Sequence, residues 1–433
     1  MGRKGRGPRL SAGTVFMLLL TLLVVLGCVW FVLRITGGGR TVRAAELIAS
    51  FPFAEETPEP QRQMAAAVTP KPLLAPAPDA ASPAPAASPT PVPEKTTINI
   101  AAAGTVYAPK AIRQTVEEGG AFDFTPVFAG AADVLSPADL AIVTLETTTA
   151  GSEKGYGNSN TPAQLLDALR ACGVDMVSLA TEHALDMDYE GLLITMQEVV
   201  SRGLSYAGVS REDDGAAGIM RIGGVQVAVL AYSYGLSDEG KANTGDDRLG
   251  ILARLETERI QSDIARVRSE GANVVIVLPH WGTKNKQETP EVIRAMAREL
   301  AKAGADVILG THPNVPQGIE RITQTRSDGL DYETVVCYSL GSLLTDARTR
   351  ENTAGMAATL DITYDPVTRC VTLGELRVTP LYIAKTKAED RPVYRVVSAE
   401  DEAALAQLDD AERSAAQEAA AIIYEAAGEA AQL

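Results

Sequence analysis

Histidine is scarce in this chain, with three residues among 433. Cysteine is almost as scarce. Cys28, Cys172, Cys337 and Cys370 share no CxxC or other zinc-like spacing, so a cysteine-built zinc module is excluded. The body also lacks any run of lysine and arginine, and the formal net charge is −16. Nucleic acid is therefore excluded as a partner, because neutralising phosphates requires a basic face. About half of the net negative charge lies after Ser398, where Glu400, Asp401, Glu402, Asp409, Asp410, Glu412, Glu418, Glu425 and Glu429 stand against Arg413 alone. Cys172, late in a predicted helix, and Cys337, inside a predicted strand, read as small core hydrophobes. A disulfide between Cys337 and Cys370 is left open.

What is present is a placement. Each histidine closes a strand-like apolar run: Met176 to His183, Val274 to His280, and Val307 to His312. In layered α/β proteins ligands bind in the crevice outside the carboxyl ends of the strands. Three imidazoles delivered to one rim form a candidate metal or phosphate site; three unrelated loop residues are the plainer alternative.

The chain divides by composition. Residues 1–11 are basic and 12–35 are apolar, uncharged through Leu33 and long enough to cross a bilayer. With Arg3, Lys4, Arg6 and Arg9 before the apolar run, the expectation is an uncleaved anchor with a cytoplasmic N-terminus. A cleaved signal peptide is the other reading, but the stretch exceeds the usual apolar region and lacks an A-x-A site. Residues 36–95 form a Pro/Ala-rich stalk, holding twelve of the 24 prolines between Pro52 and Pro93. Residues 96–385 form the body. Residues 386–433 read as an acidic Ala/Glu-rich tail, helical and solvated or disordered, because Leu405, Leu408, Ile422 and Ile423 make only a thin apolar stripe. A chain ending at Lys385 is therefore expected to keep a folded body. The localisation expected is a single-pass membrane protein with its main domain outside the cytoplasm.

Within the body, strands are expected at Ile98–Ala103, Leu140–Leu145, Met176–Leu179, Val225–Tyr232, Val274–Leu278, Val307–Leu309 and Val335–Leu340. Helical patterns lie between several of them, which implies βαβ units with largely parallel pairing. Thr161-Pro162-Ala163-Gln164 reads as a capping box with proline at the first helical position, and Gly173 ends that helix. Thr289-Pro290 opens another helix that closes at Gly304. After Gly355, Ala358–Tyr364 and Cys370–Val378 alternate like antiparallel strands around a turn at Asp365-Pro366.

Several segments, in order, resemble the CapA family of bacterial capsule or poly-γ-glutamate synthesis proteins. They are Ile98–Thr105, Ala138–Glu146, the helix and strand leading to Thr181-Glu182-His183-Ala-Leu-Asp186, Val274–Gly282 with its His-Trp-Gly, Gly304–Glu320 and Tyr338–Ser342. The resemblance covers roughly Ile98 to Asp346. It implies an α/β fold, a calcineurin-like, metallophosphatase-type layered sandwich, preceded here by the transmembrane helix and the Pro/Ala-rich linker. It also shows departures. Thr105 stands where the family has aspartate, and Thr144 and Ser342 stand where it has asparagine. Thr181-Glu182 replaces paired asparagines, and Asn314 replaces a histidine.

The resemblance implies a site at the matching positions. Glu146, His280, His312 and Asn314 are the expected metal ligands, Glu182 is a possible compensating carboxylate, and His183 is the candidate general acid. Losing an aspartate removes an anionic ligand, and a hydroxyl is a poorer one. Two metals are therefore not expected. One divalent ion (Mn, Zn or Mg) and an empty, remodelled pocket both stay open. The structural alternatives are a loop cap or arginine partner for Glu146 and a backbone hydrogen bonder for His183. Gly310, Gly318 and Gly341 are read as glycines required by backbone geometry. The function implied is biosynthesis or tethering of an anionic surface polymer with weak or no hydrolase activity. An active metal-dependent hydrolase with a mononuclear site is the other reading. The partners implied are the membrane, other polymer-synthesis subunits and the polymer itself.

Overall fold

A computed structural model describes residues 94–211, 217–325, 329–388 and 391–428. The expected basic N-terminus, the anchor at 12–35 and nearly all of the stalk lie outside the described residues. Among the described residues no helix is long and apolar enough to cross a membrane.

In chain order, the first strands are β1 (Thr96–Val106), a small hairpin of β2 (Glu117–Glu118) and β3 (Ala121–Phe122), then β4 (Leu140–Leu145), β5 (Met176–Ser178) and β6 (Ser205–Ala207). The middle of the chain gives β7 (Ala217–Ile222), β8 (Val225–Ser233), β9 (Val274–His280), β10 (Val307–Leu309), β11 (Ile319–Thr325) and β12 (Asp331–Cys337). The last are β13 (Ser342–Leu344), β14 (Ala354–Asp365), β15 (Cys370–Ala388) and β16 (Arg391–Ser398). Among the described residues they make an eight-stranded sheet in the order β16-β15-β14-β1-β4-β5-β6, with β13 beside β1. A six-stranded sheet follows the order β11-β12-β10-β9-β8-β7.

The apolar alternation explains why the sheets stack. Along β8, Val225, Val227 and Val229 join the core shared with the first sheet. Their neighbours Ala228, Leu230 and Tyr232 join a second core with Ile260, Ile264 and Val267 of the helix Thr257–Ser269, and with Ala297 and Leu300 of the helix Glu291–Lys302. A parallel strand buried on both faces reads as a continuous apolar run, which is what β8, β9 and β10 show. Parallel pairing of β1, β4, β5 and β6, and of β8, β9, β10 and β12, brings the carboxyl ends of each set to one rim.

Most expected strands are found near their expected bounds, and the hairpin around Asp365-Pro366 closes in register at Asp365 and Cys370. Four points of the sequence reading are corrected or resolved. First, the expected last strand of the parallel set, Val335–Leu340, begins earlier and ends at Cys337. The chain leaves the ladder there because Gly341 must reach β1, where its carbonyl accepts from the Thr105 amide at 3.0 Å. Secondly, Thr161 is not a capping residue. The helix is Gln164–Ala171 with Ala163 at its cap, and Thr161 is drawn away because its amide donates to the Thr148 carbonyl at 3.0 Å. Thirdly, the disulfide between Cys337 and Cys370, open in the sequence, is not made, because Cys337 carries a free, buried thiol.

The fourth correction concerns the tail. The boundary at Lys385 falls inside β15, and β16 pairs with β15 along its length. The helix Asp410–Ala427 then buries Ala416, Ala419, Ile423 and Ala427 in the main core. Glu412 ties it down, accepting from the Tyr382 hydroxyl at 2.6 Å and the Lys385 amide at 3.0 Å. An alanine face looks weakly apolar in sequence, but its small side chains let the helix lie close on the sheet.

Of the three glycines, Gly341 has φ +70° and Gly310 is crowded, whereas Gly318 shows neither feature. A Cβ at Gly310 would overlap the Tyr338 carbonyl oxygen and the Trp281 indole nitrogen, which hydrogen-bond to each other at 2.9 Å. Gly310→Ala is expected to cost about 3 kcal/mol or more, because both obstacles are buried and neither is a flexible side-chain end. An unfolding free energy from denaturant titration within about 0.5 kcal/mol of wild type would contradict that packing.

Candidate metal centre

The rim collects its residues from both sheets. Glu146 directly follows β4, and Glu182 and His183 lie in the turns after β5. His280 ends β9, Lys284 lies in the loop beyond it, and His312 follows β10. The backbone of His312 has φ +96°, a conformation that side chains other than glycine rarely adopt. Such strain costs on the order of 1–3 kcal/mol and gathers at functional sites.

Glu182 is the centre of the cluster. Its Oε2 lies 2.6 Å from His312 Nδ1 and 3.3 Å from His280 Nε2. Its Oε1 contacts the Lys284 ammonium and lies 3.5 Å from His183 Nε2. Whether this carboxylate reaches the pocket could not be read from sequence; it does, and it is only 3% exposed. Glu146 sits on the other side of it, with Oε1 3.7 Å from His183 Nε2 and 3.9 Å from Lys284 Nζ. The ligand atoms that gather within 4.8 Å of one another therefore form two overlapping groups: Glu182, His280 and His312, and Glu146, Glu182 and His183. The expected trio of Glu146, His280 and His312 is not one of these groups, because Glu182 lies between its members. Asn314 is placed by its backbone: φ is +59°, and its carbonyl accepts from Asn352 Nδ2 at 3.1 Å and Ser342 Oγ at 3.3 Å.

The first group fits a cation. Glu182 Oε2, His280 Nε2 and His312 Nδ1 are buried and face one another, yet none makes a well-directed hydrogen bond. Leaving a buried polar atom unsatisfied costs about 1–3 kcal/mol. His280 also has the outer contact that orients a metal-binding imidazole, Nδ1 to Thr311 Oγ1 at 3.0 Å.

The electrostatics agree. His280 is pushed down to about 4, chiefly by burial, so its ring is neutral at physiological pH. Burial acts to raise Glu182, but the contacts with His280 and His312 outweigh it and hold the carboxyl far below its usual range. With the His280 ring neutral, the Lys284 ammonium is the cation that faces the Glu182 carboxylate. Glu146 is pushed up to about 7 by burial and by the neighbouring Glu182 charge.

His183 has its own support. Burial opposes its protonation, but the hydrogen bond from Nδ1 to Asp186 Oδ2 at 2.6 Å raises its pKa overall. Ser237 Oγ donates to the other oxygen of Asp186, and Asn243 Nδ2 donates to its carbonyl at 2.7 Å. Tyr107 stacks on His183 at 5.8 Å, and Tyr234 lies over His312 at 4.5 Å. Sequence reading missed Lys284, Tyr107 and Tyr234. For Lys284 the available signal was its place four residues beyond His280 in the same loop.

Three of the departures from the resembled pattern are neighbours: Thr105 pairs with Thr144 on one side and Ser342 on the other. They line the β4-β1-β13 side of the rim together, and Thr105 Oγ1 is buried without a hydrogen-bond partner. A separate cavity of about 920 Å³, lined by Arg268, Asn273, Asp306 and Tyr332 among others, lies at the opposite ends of β9 and β10, away from these residues.

Comparison with known proteins gives a family. The family model described as bacterial capsule synthesis protein PGA_cap matches residues 99–347. The chain is 27% identical over 200 residues to the PGA biosynthesis protein CapA of Bacillus subtilis, covering 44% of this chain and 49% of that protein. It is 25% identical over 186 residues to the capsule biosynthesis protein CapA of Bacillus anthracis, covering 42% and 43%. The chain thus spans about half the length, or less, of these curated relatives. Among solved structures, a phosphatase from Mycoplasma pneumoniae aligns with a TM-score of 0.40 at 15% identity, over 67% of this chain and 95% of that one. The calcineurin-like phosphoesterase YfkN from Bacillus subtilis aligns with a TM-score of 0.39 at 13% identity, over 66% and 91%.

Proposed function

Because the chain belongs to the bacterial capsule synthesis family PGA_cap, we propose that it serves the biosynthesis or tethering of an anionic surface polymer of the poly-γ-glutamate type. In this reading residues 12–35 anchor it in the membrane, residues 36–95 are a spacer, and the α/β body works outside the cytoplasm beside other polymer-synthesis subunits. The observation that carries the proposal is the set of three unsatisfied buried atoms on Glu182, His280 and His312. These residues would hold one divalent ion, with Asn314 as a further oxygen donor. When bound, such an ion supplies Lewis-acid attraction for a carboxylate, amide or phosphate oxygen.

The chain's own residues do the rest. Lys284, at the mouth, adds a positive charge for an anionic ligand. Tyr107 and Tyr234 flank the entrance and restrict how a chain end enters. The Thr105, Thr144 and Ser342 side contributes no anionic oxygen, which favours binding over strong hydrolysis. The second reading, an active hydrolase, is favoured by one feature: Asp186 and Ser237 orient His183, whose raised pKa suits a general acid.

Full-length protein in detergent separates the two. Labelled poly-γ-glutamate is expected to bind in Mn²⁺ and to be released by chelator, while phosphate mono- and diesters turn over at the rate of buffer. Polymer that ignores the protein in both conditions would sink the first reading. Metal-dependent ester turnover that falls by about 100-fold in His183→Ala would establish the second.

A further inference from the structure

Lys284 brings a cation to the place where the pocket gathers two buried carboxylates. Its ammonium touches Glu182 Oε1 and stands 3.9 Å from Glu146 Oε1. Those carboxylates, with His183, form the second group of ligand atoms within 4.8 Å of one another. Glu146 Oε2 is buried there without a hydrogen-bond partner. The adjacent Thr105, Thr144 and Ser342 offer only neutral hydroxyls, which are poor ligands for a divalent ion. Beyond those two carboxylates this half of the pocket offers no further anionic oxygen, and it already carries the lysine's positive charge.

We infer that Lys284 is a built-in monovalent cation that fills the second ion position of this pocket and so limits the centre to a single divalent ion. The inference takes its baseline from the single-ion reading above. The two carboxylates are 3–4% exposed, whereas the lysine side chain is 42% exposed on a loop. The cation is therefore held at the mouth by charge, not by packing. Removing it takes the ammonium away from two neighbouring buried carboxylates, an arrangement that attracts another cation.

Equilibrium dialysis of the full-length protein against Mn²⁺, with bound metal counted by mass spectrometry, tests this. Lys284→Met is expected to bind one more ion per chain than wild type, with affinity for that ion raised roughly 100-fold. Lys284→Arg keeps the charge and is expected to match wild type. Lys284→Met combined with Glu146→Gln is expected to lose the added ion, which locates it. If Lys284→Met does not fold by circular dichroism, Lys284→Gln takes its place. An unchanged count in the neutral variant overturns the inference, as does an added ion in Lys284→Arg. The wild-type count judges the single-ion reading by itself. A wild-type chain with no bound Mn²⁺ would defeat that reading, while the increment on removing Lys284 still decides the role of the lysine.

Discussion

Replacing His280 and His312 together by alanine is expected to abolish the rise in melting temperature that Mn²⁺ or Zn²⁺ gives the wild-type protein. Both imidazoles turn an unsatisfied nitrogen towards Glu182 Oε2, so their loss leaves one carboxylate oxygen to hold an ion. A ligand that binds only the folded state stabilises it by about 2.7 kcal/mol at a hundred times its dissociation constant. For a domain of this size that is roughly 5 °C, measurable by scanning calorimetry with and without chelator. A double variant that still gains those degrees would place the ion elsewhere. Glu146→Ala is the useful contrast, because Glu146 is absent from the group of Glu182, His280 and His312 and is expected to leave most of the gain intact.

Ending the chain at Lys385 is expected to destroy the fold, the opposite of what composition suggests. The cut removes β16, which pairs with β15 from Leu381 to Ala388, and with it the buried Tyr394, Val396 and Val397. It also removes Leu408 and the face of Ala416, Ala419, Ile423 and Ala427. At about 0.8 kcal/mol per buried methylene and 1.5–3 kcal/mol per large side chain, the loss is on the order of 10 kcal/mol. That matches the whole stability of an ordinary domain, about 5–15 kcal/mol. The truncated protein is expected to aggregate and to lose cooperative melting by circular dichroism. A monomer that melts like the wild-type body would show that the last segment is dispensable.

The strand positions were readable because burial of a strand writes itself into consecutive residues. Leu140–Leu145 and Val307–Leu309 were placed at their observed ends. The strands that escaped were short or edge strands such as β6, β7, β11, β13 and β16. In β6, β7, β11 and β16 part of the strand meets water, so the apolar run thins and polar residues alternate in, whereas β13 is buried but only three residues long. Helix bounds are readable where proline and glycine act locally, at the start beside Pro290 and the end before Gly304, and misleading at Thr161, where a distant partner at Thr148 claims the backbone.

The sequence by itself determined that three histidines reach the ends of buried parallel strands, because strand length and polarity are properties of neighbouring residues. Tertiary structure alone decided which carboxylate they meet. Glu182 occupies the centre and Glu146 its flank, and Lys284 enters from a loop of the other sheet. Spacing along a chain carries no information about contacts between two sheets, since these depend on how the sheets stack. The same holds for the terminal helix, whose alanines count for little individually and become core only against the face of β14 and β15.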